Sequence, residues 1–241
     1  MRAYLSQVRT EVTLSTRQGE QLLVSLGIPL LILVFFSSVD ILPTGTDEPI
    51  DFLAPAVLAL AVMSTSMVSL GIGTGFERAY GVLKRLGASP LGLGRWVAAK
   101  ITTVLLTEVV QWAVLITVAV LLGWSPPASG WAAAVLGALL GTAAFGGLGL
   151  LLAGTLPGLA TLAVANALYL VLLLTGGMMV PLSELPAPLA AVAKLLPAAP
   201  LSEILTGALQ PGASIEPWAW VSLTVWAVAA PLAAVLLFRW E

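Results

Sequence analysis

The 241-residue sequence contains no cysteine and no histidine, and only 9% of its residues are charged. Without cysteine the chain has no disulfides, no thiol nucleophile and no cysteine-ligated metal site. Without histidine it also lacks the usual metal ligand, proton shuttle and near-neutral pH switch. These absences exclude most hydrolytic and redox enzyme mechanisms, so we predict neither a catalytic site nor a metal site in this chain.

Hydrophobic residues make up 59% of the sequence, and the mean hydropathy is +1.03. A soluble surface needs a far larger share of charged side chains, so the composition predicts an integral membrane protein surrounded by the lipid bilayer. The formal net charge of -2 gives no basic stripe of the kind that nucleic acids require. We therefore expect no nucleic-acid partner.

Long apolar runs alternate with clusters of glycine and proline. Crossing a bilayer needs about 20 predominantly apolar residues, and breaks such as Pro126 with Pro127, or Pro157 with Gly158, end helices. The sequence therefore predicts a single all-α membrane domain. Its six transmembrane helices are expected at residues 21–39, 52–75, 96–122, 131–153, 159–180 and 218–238.

Two further segments fit neither a span nor a simple loop. Four apolar side chains of residues 1–19 fall near one helical face, which predicts an interfacial helix on the inner leaflet, with a poorly ordered tail as the alternative. These four are Tyr4, Leu5, Val8 and Val12. Residues 182–210 are apolar but interrupted by four prolines, so we predict two short re-entrant helices that dip into the outer leaflet.

The basic residues define an orientation for this topology. Nine of the ten fall on one side of the six predicted spans, namely Arg2, Arg9, Arg17, Arg78, Lys84, Arg85, Arg95, Lys100 and Arg239. The tenth, Lys194, falls on the other side. Because cytoplasmic loops carry the excess of lysine and arginine, both termini are expected in the cytoplasm.

Residues 76–95 form a charged segment between two long apolar runs. Phe76, Tyr80 and Leu83 recur at the helical spacing i, i+4, i+7, which predicts a short helix with an apolar ridge that Ser89 and Pro90 would end. The charged residues around this ridge are Glu77, Arg78, Lys84 and Arg85. Such a helix can seat in a groove of a cytosolic partner, although its charges also suit simple anchoring at the inner headgroups.

The same segment resembles a known family. Phe76, Glu77 and Arg78, followed by residues 81–86 and 88–91, resemble the loop between the second and third helices of ABC-2-type transporter permeases. Residues 176–186, 195–197 and 201–205 are similar to the exit of that family's fifth helix and to its outer re-entrant helices. Together with the six spans and the interfacial helix, these motifs extend the resemblance over essentially the whole chain. Within the family, the chain most resembles the daunorubicin-resistance-like drug exporters.

The resemblance implies a permease subunit of an ATP-binding-cassette exporter in a bacterial inner membrane, active in multidrug efflux and antibiotic resistance. It implies two copies of a cytosolic ATPase subunit, which would bind ATP and Mg, and a second permease copy or a paralogous permease. Residues 76–95 would then be the coupling segment, contacting the ATPase through Phe76, Glu77, Arg78, Tyr80, Leu83, Lys84 and Arg85. The chain itself has no Gly-x-x-x-x-Gly-Lys-Ser/Thr motif for nucleotide binding.

Polar residues within the predicted spans are candidates for a substrate path. Glu108 lies mid-span, where an ionised carboxylate costs about 2.5–3.5 kcal/mol, and Thr107 and Gln111 share its side of the helix. Asn166 and Tyr169 offer a second polar face. Glu108 could line the path of an amphipathic drug-like or lipid-linked substrate, hydrogen-bond within the bundle, or serve as the proton site of a proton-coupled secondary transporter.

Overall fold

The computed structural model describes residues 2–17, 19–38, 48–87 and 92–239. Every regular element in these ranges is helical. The α-helices are α1 (Arg2–Arg17), α2 (Gly19–Ser38), α3 (Pro49–Met63), α4 (Leu70–Ala79), α5 (Val82–Gly87), α6 (Leu93–Leu121), α7 (Trp131–Thr155), α8 (Gly158–Thr175), α9 (Ala187–Leu195), α10 (Ala198–Leu209) and α11 (Pro217–Leu237). A π-helical turn, Ser64–Ser69, joins α3 to α4 without interruption.

Parts of the predicted segments lie outside the described residues. They are Met1, Gln18, Val39 and residues 88–91, so the expected end of the coupling helix at Ser89 and Pro90 is among them.

Five helices in the described part of the chain are long and apolar enough to cross a membrane: Pro49–Ala79, Gly94–Leu121, Ala128–Thr155, Gly158–Thr175 and Pro217–Leu237. The bent pair α9 and α10 counts as a sixth if it forms one broken span. The predicted all-helical membrane fold is thus confirmed, with five to six helices of spanning capacity.

The long helix Pro49–Ala79 forms the centre of the bundle. Its side chains are almost all buried, whereas most residues of the other spans reach the surface. Proline at its first position needs no hydrogen-bonded N–H there. A π-turn inserts one residue into the helical repeat, and this one lies in the buried middle of the helix, at the level of Thr65 and Ser66.

Glycines let α7 approach its neighbours closely. A Cβ built on Gly147 would lie 2.4 Å from the Pro231 backbone nitrogen on α11, and one on Gly149 would lie 2.7 Å from the Met67 carbonyl oxygen. Backbone contacts this short tolerate only glycine. Helix α7 therefore joins the central helix to α11.

The segment predicted to re-enter the outer leaflet contains two helices. Helices α9 and α10 are both short and meet at 92°. Helix α10 is buried along most of its length, with Leu201, Ile204 and Leu205 wholly inaccessible. It packs against α3, α7 and α11 in the main core.

Two helix ends also differ from the expected boundaries. The second span continues to Ala79 rather than 75, so Phe76, Glu77 and Arg78 belong to its last turn. The fifth ends at Thr175 rather than 180, because Gly176 caps it and Gly177 adopts a left-handed conformation with φ of 74°.

Candidate functional site

The candidate coupling segment is two helices rather than one. Helix α4 ends at Ala79, Gly81 takes a left-handed conformation with φ of 70°, and α5 starts at Val82. A glycine at positive φ after a helix is a common stop signal. The chain direction changes there, so the spacing of Phe76, Tyr80 and Leu83 no longer places them on one helical face.

The three expected ridge residues have different surroundings. Leu83 is only 2% exposed and packs with Trp96 of α6. Phe76 is half-buried and stacks on Tyr80, with ring centroids 6.1 Å apart. Tyr80 is 70% exposed, and Lys84 and Arg85 are exposed beside it. Tyr80, Lys84 and Arg85 are therefore accessible to a partner, while Leu83 anchors α5 to the bundle.

Arg78 points into the bundle. Its Nη1 donates hydrogen bonds to the carbonyl oxygens of Ala153, at 2.7 Å, and Leu156, at 3.2 Å. These carbonyls belong to the last turn of α7 and the residue after it, where a helix has unsatisfied acceptors and a partial negative charge. Arg78 thus ties the end of α4 to the end of α7.

Three charged residues from separate helices meet beside the coupling segment. Lys100 Nζ of α6 lies 2.8 Å from Glu11 Oε2 of α1 and also bonds Glu77 Oε1 of α4. The side chains of Lys100 and Glu11 are 9% exposed. A buried cation needs such partners, because an unpaired charge loses its hydration without compensation. This trio, the Glu11–Lys100–Glu77 cluster, links α1, α4 and α6.

A cavity of about 540 Å³ opens beside this cluster, between α1, α2, the central helix and α6. Its polar lining includes the three charged residues and the hydroxyls of Ser25, Thr65, Ser69, Thr103 and Thr107. Apolar side chains such as Ile72 and Val104 complete the wall. The mixture of charge, hydroxyl and hydrocarbon suits an amphipathic molecule.

Gln111 connects α6 with α2 and the π-turn. Its Oε1 accepts a hydrogen bond of 2.7 Å from Thr65 Oγ1, and its Nε2 donates one of 3.2 Å to Ser25 Oγ. Gln111 is 2% exposed. Both polar ends of the Gln111 side chain therefore hydrogen-bond to other helices. Thr107, another candidate path residue, donates to the Thr103 carbonyl oxygen of its own helix.

Glu108 faces a different neighbour from Gln111. Its Oε2 accepts a hydrogen bond of 2.7 Å from Thr142 Oγ1 of α7. Its Oε1 is buried and has no hydrogen-bond partner among the described residues. The carboxyl group thus keeps unused hydrogen-bonding capacity, which a proton, a water molecule or a ligand donor could satisfy.

Asn166 and Tyr169 do not share a polar face. Asn166 is exposed on α8 and donates to the Leu162 carbonyl of its own helix, whereas Tyr169 is 9% exposed within the main core. Among the described residues, no three carboxylates lie close enough together to hold a metal ion.

Glu11, Lys100 and Thr142 were absent from the predicted sites. Lys100 lies seven residues inside α6, and a charge within an apolar run signals a counter-charge nearby. Glu11 carries a weaker signal, because it follows Tyr4 and Val8 at helical spacing and so falls on the buried face of α1. No local pattern distinguishes Thr142 from other threonines.

The fold and these sites define a multi-pass membrane protein with a charged cluster at one end of its bundle. The profile of the ABC-2 type transporter family matches residues 3–210, most of the chain. The protein belongs to this family, whose members are membrane transport components that associate with an ABC ATPase. No individually curated protein matches the sequence.

Proposed function

We propose that this chain is the permease subunit of an ATP-binding-cassette exporter and that a separate ATPase subunit drives it through residues 76–95. The proposal is carried by the different surroundings of neighbouring side chains in this segment. Tyr80, Lys84 and Arg85 are exposed, whereas Glu77 and Arg78 just before them are bonded to other helices. An exposed surface joined rigidly to transmembrane helices suits the transmission of force.

The bonds of Glu77 and Arg78 offer two routes for this force. Arg78 connects the segment to α7 through the carbonyl oxygens of Ala153 and Leu156. Glu77 connects it through Lys100 to α6 and to α1. A displacement of α5 would therefore reach α1, α6 and α7 together.

The complete transporter would hold two ATPase copies, which bind ATP and Mg, and a second permease of the same or a paralogous sequence. The surfaces of α2 and α8 suit the contact between permeases. Leu31 of α2 and Leu174 of α8 are 65% and 62% exposed, and Asn166 adds an exposed amide group. An amide facing lipid is costly, so a protein partner there is favourable.

The substrate we propose is amphipathic, either drug-like or lipid-linked, and the mixed lining of the 540 Å³ cavity supports this class. The location would be a bacterial inner membrane with both termini cytoplasmic, in accord with the distribution of basic residues. A daunorubicin-resistance-like role in multidrug efflux and antibiotic resistance follows from the sequence motifs alone.

Replacing Tyr80, Lys84 and Arg85 together by alanine is expected to abolish co-purification of the ATPase subunit and ATP-driven transport. The three side chains are exposed, so the melting temperature of the permease should stay unchanged. The matched control is Lys194→Ala, an exposed lysine in the last turn of α9, which should leave both properties intact. Full ATP-driven transport by the triple variant would refute the coupling role.

Glu108→Gln is expected to alter transport more than assembly. The amide oxygen still accepts the Thr142 hydrogen bond, and the amide nitrogen adds a donor where Glu108 Oε1 now has no described partner. Transport rates and gel-filtration profiles of the variant complex check this. Unchanged export would assign Glu108 to the bundle's internal bonding, and export without ATPase that depends on a proton gradient would overturn the proposed function.

A further inference from the structure

A second cavity, of about 470 Å³, lies between α6, α7 and α11. Its lining is apolar apart from the Thr142 hydroxyl and the Trp96 indole nitrogen. We call it the α6–α11 groove. Hydrophobic side chains beside it are exposed, including Ile101 at 43% and Val235 at 77%.

The groove has the depth of one membrane leaflet. Along α6 it extends from Trp96 to Leu105, and along α7 from Leu139 to Leu150. At about 1.5 Å per helical residue these stretches rise about 14 and 17 Å. Half of a hydrocarbon core about 30 Å thick is about 15 Å, so one extended acyl chain matches the groove in length.

Among the described residues beside the groove, positive charge lies at one end. Trp96 and Phe238 line that end and belong to the same small apolar cluster. Their neighbours in sequence, Arg95 and Arg239, are exposed, and the Arg239 backbone N–H donates to the Gly154 carbonyl oxygen at 3.0 Å. This backbone bond holds Arg239 beside the end of α7, a helix of membrane-spanning length.

From the depth, the lining and the position of the arginines, we propose that the α6–α11 groove binds an anionic phospholipid. One acyl chain occupies the apolar cavity, and the phosphate-bearing headgroup contacts Arg95 and Arg239. Guanidinium groups bind phosphate oxygens with paired hydrogen bonds, and anionic lipids concentrate in the cytoplasmic leaflet. The proposed orientation of the chain in the membrane affects only which leaflet supplies the lipid. Lipid binding in the groove does not require an ATPase subunit.

The test uses the full chain in phosphatidylcholine vesicles that contain a minor fraction of lipid with brominated acyl chains. Bromine quenches the fluorescence of a tryptophan in contact with it, and Trp96 is part of the groove wall. Brominated phosphatidylglycerol is expected to quench more strongly than the same fraction of brominated phosphatidylcholine. Equal quenching by the two lipids would overturn the proposal.

Two variants test whether the stronger quenching by phosphatidylglycerol arises in the groove, and each has a control. Ala143→Phe fills the groove and should remove the excess quenching, whereas Ala229→Phe, on an exposed position of α11, should retain it. Arg95→Gln with Arg239→Gln should weaken the preference for phosphatidylglycerol by roughly fivefold per arginine. The control pair Arg9→Gln with Lys194→Gln removes as much exposed charge from residues that do not line the groove and should keep the preference.

If Ala143→Phe fails to fold, as judged by circular dichroism of its helices, the variant of Arg95 and Arg239 still tests the headgroup contact. An undiminished preference in the folded Arg95 and Arg239 variant, or the same loss in the control pair, contradicts the headgroup contact. Undiminished quenching in folded Ala143→Phe contradicts the acyl-chain position.

Discussion

Replacing Lys100 by methionine is expected to lower the free energy of unfolding by about 3–5 kcal/mol, because it leaves two carboxylates close together without their cation. Glu11 and Lys100 are buried, and Glu77 is partly buried against the same ammonium group. The variant should also lose ATP-driven transport, since α1 and α4 are no longer joined through α6. Thermal unfolding in detergent, followed by circular dichroism, measures the first effect, and transport in vesicles measures the second.

Removing the carboxylates as well separates stability from coupling. The triple variant Lys100→Met, Glu11→Gln, Glu77→Gln has no uncompensated charge, so its stability should return close to that of the unmodified protein. Its transport should remain low if the cluster transmits force. Lys194→Met serves as the control for loss of an exposed lysine. A Lys100→Met protein with unchanged unfolding would show that the cluster contributes nothing to stability.

Gly147→Ala is the second substitution with a large expected effect. The added methyl group would meet the Pro231 nitrogen at 2.4 Å and the Ala230 carbonyl carbon at 2.6 Å. Both atoms are backbone and cannot rotate away, so α7 and α11 must separate. We expect a loss of about 1–3 kcal/mol from this overpacking, together with a lower melting temperature in detergent.

The neighbouring residue supplies a matched control. A Cβ on Gly146 would approach nothing nearer than Leu70 Cδ2 at 3.7 Å, an ordinary contact. Alanine raises helix propensity equally at both positions, so the difference between the two variants isolates the clash. Equal melting temperatures for Gly146→Ala and Gly147→Ala would contradict the close contact between α7 and α11.

Much of the architecture followed from local patterns. The length of the apolar runs and the prolines between them are properties of neighbouring residues, and they predicted an all-helical membrane protein. The motifs at 76–95 and 176–186 led to the ABC-2 type transporter family, which the family match confirms over residues 3–210. The helix ends were harder to predict, since the turn at Gly81 depends on a backbone conformation that composition does not encode.

The side-chain partners were beyond the reach of these patterns. Helical spacing grouped Leu83 with Phe76 and Tyr80, but the turn at Gly81 lets Leu83 pack on Trp96 instead. The same spacing placed Glu108 and Gln111 in one polar stripe, but each bonds to a different helix. Angles around a single helix do not show which neighbouring helix each side chain will meet.

The sequence by itself determined the class of fold and the family. Each depends on composition or on residues close together in the chain. Only the tertiary structure decided that Glu11, Glu77 and Lys100 form one cluster, that Arg78 caps α7, and that α10 lies in the core. These contacts join residues that are far apart in sequence. They form because glycines of α7 let the helices of the bundle approach one another closely.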